Sequence, residues 1–111
     1  VKIAFPAEGE FIADHFGHCK VFRVFNLDHK EIISQSNIQS PCEHKLGVLP
    51  ELLHKHGVEI VIVDSIGRKA IDLFDAMGIK VITGAKGLIE ESLRCFLNGT
   101  LQDSGKVCSH A

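Results

Sequence analysis

The run Glu59-Ile60-Val61-Ile62-Val63 constrains this chain more than any other segment. It is short, β-branched at four consecutive positions and closed by Asp64. Its length and branching suit a central strand covered on both faces. Such a strand needs helices around it, and the flanking sequence supplies them. Val48–His56 reads as a helix with Pro50 in its first turn and Gly57 as its C-terminal cap. Leu49, Leu52, Leu53 and His56 share one face of it. Arg68–Met77 reads as the next helix, with Ala70, Ile71, Phe74 and Met77 near one face, Leu73 beside them and Gly78 as the stop. Ile79–Ile82 follows as a short strand. Lys86–Asn98 is the last helix, with Ile89, Leu93, Phe96 and Leu97 on its apolar face and Gly99 at its end. Alternating strands and helices imply parallel pairing with right-handed crossovers. The strand ends of such sheets carry loops that can build a site.

The first third of the chain has a different pattern. Lys2–Pro6 reads as a strand, and residues 7–19 as a loop rich in Gly, Glu and His. Lys20–Leu27 is aromatic and β-branched, which suits a well-covered strand. Asp28-His29 fits a tight turn. Lys30–Ile38 is a more polar strand, expected at a sheet edge. These three strands form a β-meander. Gln39–Lys45 is a second loop, in which Pro41 keeps its predecessor extended. The predicted order is β-β-β-α-β-α-β-α, an α/β domain over residues 1–101, with 102–111 as a tail that shows no strong pattern.

A length of 111 residues suits one domain. Hydrophobic residues at 45%, charged residues at 23% and only three prolines exclude disordered and collagen-like classes. No apolar run approaches the roughly 20 residues of a membrane helix. Lys plus Arg is 12 against 14 for Asp plus Glu, which argues against nucleic acid as a partner. The opening Val1–Pro6 lacks the long apolar core of a signal peptide, so a cytoplasmic location is expected. Cysteines in that compartment are more often thiols or ligands than disulfides.

The composition is unusual in its metal ligands: seven His and four Cys, with no Trp or Tyr. They gather in three clusters, each in a loop or the tail: His15-Phe16-Gly17-His18-Cys19, Cys42-Glu43-His44 and Cys108-Ser109-His110. Thiolate and imidazole are the donors that zinc, iron and copper prefer, and thiolates also suit metal–sulfur chemistry. The last two clusters share a Cys-x-His spacing, which a loop can turn toward one ion. Other candidates have structural explanations. His29 fits a solvated turn, and His54 and His56 fit a helix C-terminus, where a cation is favoured. Cys95 fits a small core position. Asp64 could bind a metal or cap the next turn. Gly84-Ala85-Lys86-Gly87 fits a strand-to-helix turn, since the chain has neither a GxxxxGK[ST] nor a GxGxxG loop. No Gly-x-Ser-x-Gly elbow supports a hydrolase.

Several of these segments resemble the dinitrogenase iron-molybdenum cofactor family, which includes NifX-like and NafY-like carriers and small stand-alone members. Lys2-Ile3-Ala4-Phe5-Pro6 looks like the family's opening strand. His15-Phe16-Gly17 before a Phe-containing strand is its most specific motif. Pro41-x-Glu43-His44 before Gly47-Val48-Leu49-Pro50 resembles one branch. Gly57-Val58-Glu59, Ile66-Gly67, Gly78-Ile79-Lys80-Val81 and Gly84-Ala85 fit the second half, and Cys108-x-His110 resembles a tail that some members carry. The resemblance implies a ribonuclease H-like fold: a mixed five-stranded sheet flanked by three helices. It also implies a non-catalytic carrier that binds an iron-molybdenum cofactor, its precursor or a related metal–sulfur cluster and hands it between donor and acceptor proteins. His15, Phe16 and Gly17 carry over most directly; His44, Cys108 and His110 follow. The additional ligands His18 and Cys19 depart from many relatives. Nuclease activity is not implied, because a two-metal nuclease needs converging acidic ligands and the first strand has none.

Three hypotheses follow. In the first, a carrier holds a metal–sulfur cluster as cargo through His15 or His18 and the Cys19 thiolate, in a shallow site formed by the 15–19 and 42–44 loops. Binding then weakens as pH falls below roughly 6.5, where free imidazole gains its proton. In the second, zinc held by Cys42, His44, Cys108 and His110 clips the tail to the body. In the third, Cys19 beside His18 is a redox-active thiol.

Overall fold

The computed structural model describes residues 1–13, 21–39 and 48–99, and the backbone of 107–108. The chain opens with β1 (Lys2–Glu8), a short β2 (Phe11–Ile12), β3 (Val21–Asp28) and β4 (Glu31–Gln39). α1 (Val48–Lys55), β5 (Ile60–Ile62), β6 (Ile66–Gly67) and α2 (Arg68–Ala76) follow. β7 (Lys80–Ile82), α3 (Ile89–Leu97) and β8 (Val107–Cys108) complete it. The main sheet has the order β4-β3-β1-β5-β7, with β2 added beside β1. β3 is antiparallel to both β1 and β4, whereas β1, β5 and β7 are parallel. This is the mixed α/β sheet with three helices that the sequence implies.

Side-chain alternation explains why β1 and β5 sit centrally. Ile3, Phe5 and Ala7 enter one core cluster with Ile62, Ile82, Ile89 and Leu93. Ala4 enters the other with Val61, Val63, Leu49, Leu53 and Phe74. α3 therefore covers one face and α1 with α2 the other. Phe5 and Phe25 meet edge-to-face, with centroids 5.7 Å apart and planes at 87°. Such a contact adds about 0.5–1.5 kcal/mol beyond area burial. Pro6 is tolerated in a central strand because β5 pairs only with Ile3 and Ala4. Beyond that point β2 takes over the same edge, pairing Ala7 with Ile12 and Glu8 with Phe11.

Two helices end in the same way. The Val58 N–H donates to the Leu53 carbonyl and the Gly57 N–H to the His54 carbonyl, at 3.1 and 3.0 Å. The Ile79 and Gly78 N–H groups repeat this toward Phe74 and Asp75. Both are Schellman motifs, with glycine at φ +80 and +75 where an L side chain would be strained. The hydrophobic contact that accompanies the motif is present too, since Val58 and Leu53, like Ile79 and Phe74, lie in one core cluster. Lys2 Nζ donates to the His56 carbonyl at 3.0 Å, placing a cation at the C-terminus of α1.

Several boundaries differ from expectation. β2 lies inside the expected 7–19 loop, and β6 and β8 were not expected at all. Two-residue strands have no period to read. The turn after β3 uses His29 and Lys30, both left-handed at φ 48 and 71, rather than Asp28-His29. α3 starts at Ile89, not Lys86, because Gly84 and Gly87 adopt φ +87 and +88, which no helix contains. α1 ends at Lys55, leaving His56 exposed instead of on the apolar face.

Candidate functional site

The parallel strands β1, β5 and β7 all finish at one end of the sheet, and β4 finishes there too, since it runs with them. All three helices begin at that end. Each helix N-terminus carries a partial positive charge, so the three together favour an anionic ligand. Neither the N-cap of α2, Gly67, nor that of α3, Leu88, makes a side-chain capping bond. At α3 the protein itself supplies one acceptor: the Ile89 N–H donates to the Glu10 carbonyl at 2.9 Å.

Two of the three ligand clusters lie in segments rooted here. Residues 14–20 leave from Ala13 and return at Val21, and residues 40–47 leave from Gln39 and return at Val48. Val21 is the register partner of both Ala7 on β1 and Gln39 on β4. The return of the first segment and the departure of the second are thus the two sides of one rung. The Ala13 N–H donates to the Pro6 carbonyl at 2.8 Å. Ala13, Phe22, Ile38, Leu49 and Ile66 share one core cluster, so the roots of both segments are locked to a common base.

His15, Phe16, Gly17, His18 and Cys19 lie outside the described residues, as do Cys42, His44 and His110. Cys108 is within β8, whose backbone pairs in parallel with β6 and sets Cys108 opposite Gly67. Within the segment read from sequence as a tail, residues 107–108 therefore pair with the strand that leads into α2. Among the described residues, no group of three or more His, Cys, Asp or Glu side chains is placed to hold a metal ion.

The described rim of this end is polar and buried. Asp64 is 7% exposed, Ser65 5% and Thr83 3%. All three are engaged in polar or other specific contacts, as burial of such groups requires. The backbone laces past the strand ends: the Gly84 N–H donates to the Asp64 carbonyl at 2.8 Å and the Ala85 N–H to that of Val63 at 3.0 Å. Gly84–Gly87 is the strand-to-helix turn expected of it. Sequence reasoning singled out Asp64 but missed Ser65 and Thr83. Their signal was a polar residue within the first positions after each apolar run: Ser65 behind Asp64, and Thr83 directly after Ile82.

The remaining imidazoles and the last thiol lie elsewhere. His29 is almost wholly exposed, its Nε2 3.3 Å from Asp28 Oδ1. His54 and His56 are exposed at the C-terminus of α1, and His56 Nδ1 lies 2.9 Å from the Leu52 carbonyl. Cys95 lies on α3, half-buried and outside both core clusters rather than a core residue.

Comparison with known proteins agrees with this architecture. The family model described as dinitrogenase iron-molybdenum cofactor matches residues 1–99. The chain belongs to that family. An uncharacterised protein of Methanocaldococcus jannaschii is 31% identical over 106 residues, spanning 92% of this chain and 90% of its own. The crystal structure of PH0822, also 31% identical, superposes with a TM-score of 0.88 and covers 94% of this chain and 95% of its own. The apo form of the orange protein from Desulfovibrio gigas is 23% identical, with a TM-score of 0.79 over 95% of this chain and 93% of that one. At that identity the likeness is one of fold. Membership of the iron-molybdenum cofactor family gives the chain a cofactor-associated role. No helix among the described residues is long and apolar enough to cross a membrane.

Proposed function

We propose that this member of the iron-molybdenum cofactor family is a carrier. Its cargo is an iron-molybdenum cofactor, a precursor of it or a related metal–sulfur cluster, received from one protein and released to another without turnover. His15, His18 and Cys19 are the principal donors, with Phe16 and Gly17 completing the motif. Cys42 and His44 lie on the neighbouring segment, and Cys108 and His110 on the tail. The observation that carries this reading is the Val21–Gln39 rung, which roots two ligand-bearing segments side by side. The donor set suits the cargo: thiolate and imidazole are soft enough for a metal–sulfur cluster. The field suits it too, since such clusters are anionic and three helix N-termini point to this end.

Anaerobic incubation with tetrathiomolybdate, followed by desalting, tests the reading. The wild-type chain is expected to retain molybdenum and a visible absorption band. The His15→Ala/Cys19→Ala double variant is expected to lose at least tenfold in retention. Undiminished loading of that variant refutes the proposed donors.

A further inference from the structure

We infer that β4 is a self-association edge, through which two copies of this chain pair antiparallel about a twofold axis. The inference stands apart from the carrier reading. Among the described residues β4 pairs with β3 alone, so its other side carries a row of backbone donors and acceptors without a strand beside it. Such a row is a template for another strand, and natural edges are normally guarded. β4 is weakly guarded. It is nine residues long and exposed at every position but Ile38. It holds no Lys, Arg or Pro, and its one charged residue, Glu31, stands at its beginning.

One guard is present. The register steps from Asn26–Ser34 to Leu27–Ile32, so Ile33 is an extra, bulged residue. The bulge sits near the turn and leaves Ser34–Gln39 in regular register with β3. That stretch is Ser-Gln-Ser-Asn-Ile-Gln, uncharged throughout.

The chemistry of this stretch favours a second copy over a foreign peptide. With no charge of its own and, among the described residues, a single cation against it, Arg23 on Gln35 Oε1 at 3.4 Å, the edge offers little to select an acidic or basic partner. Its hydroxyl and amide side chains both donate and accept, so they satisfy their own kind across a twofold axis. An axis near Ser36 places the two Glu31 side chains ~34 Å apart, about five residues from the axis on each side at 3.4 Å per residue, beyond the Debye length at physiological salt. Six residues of pairing make a small interface, so the dimer is weak and concentration-dependent.

Sedimentation equilibrium of the full chain tests this, with the variants Ser36→Lys and Ser36→Glu checked for folding by circular dichroism. The wild-type mass is expected to rise from 12.2 kDa toward twice that value as concentration increases. Each variant alone is expected to stay monomeric, because like charges meet across the axis. Their equimolar mixture is expected to dimerise again. A wild-type chain that is monomeric up to millimolar concentration overturns the inference. So do variants that dimerise as well as wild type, or monomeric variants whose mixture fails to associate. Concentration-dependent amide protection within Ser34–Gln39 provides a readout that needs no variant, and its absence also overturns the inference.

Discussion

Between β3 and β4 the chain reverses through His29 and Lys30 alone, whereas between β4 and α1 it spends residues 40–47. The same contrast runs across the whole sheet. At the His29 end, α1 and α2 each pass to the next strand through a glycine-terminated Schellman motif, and Lys2 caps α1. At the opposite end lie the long connections, the helix N-termini, the buried Asp64, Ser65 and Thr83, and the roots of the ligand-bearing segments. One end closes the fold with short reversals. The other holds the roots of the longer connections. In the proposed carrier, stability and function separate along the strand axis, as in other sheets whose sites lie at the carboxyl ends of parallel strands.

The largest effect expected from probing this contrast comes from the closed end. Phe74 is fully buried and faces Ile79 within one core cluster. Phe74→Ala is expected to cost about 3–5 kcal/mol in urea unfolding, enough to unfold much of a marginal domain. Gly78→Ala isolates the backbone component. A Cβ there meets nothing within 4 Å, so only the positive φ opposes it. The expected loss is roughly 1–2 kcal/mol. Lys30→Gly works in the opposite direction. Lys30 sits at φ 71 in a two-residue hairpin turn that favours glycine. Relief of that strain, less glycine's entropic cost, is expected to raise stability by about 0.5–1 kcal/mol. The smallest change in stability is expected at the site end. His15→Ala/Cys19→Ala is expected to stay within about 0.5 kcal/mol of wild type while losing cargo. A larger destabilisation there would merge the two ends into one structural unit and end the comparison.

Much of this contrast was legible in the residues, and unevenly so. The EIVIV run, the polar edge strand and the three glycine-stopped helices follow from periodicity and capping, which are local. The left-handed His29-Lys30 turn was not legible, because neither residue favours that conformation and the hairpin register imposes it. The start of α3 was hidden for a similar reason: Lys86 and Leu88 have acceptable helix propensity, yet Gly87 takes a positive φ and Leu88 bridges to Phe11, so the helix begins only at Ile89. β2, β6 and β8 exist only through tertiary pairing. For the proposed site, the sequence shows the His and Cys clusters and Asp64 at a strand end. That two clusters are rooted on one rung was not readable, since it depends on the register between β3 and β4.

The central claim is best tested by metal and acid-labile sulfide analysis, with an absorption spectrum, of untagged protein purified without oxygen from its native host. Iron or molybdenum together with sulfide and a visible chromophore is expected. Near-stoichiometric zinc, without sulfide or colour, would contradict that claim.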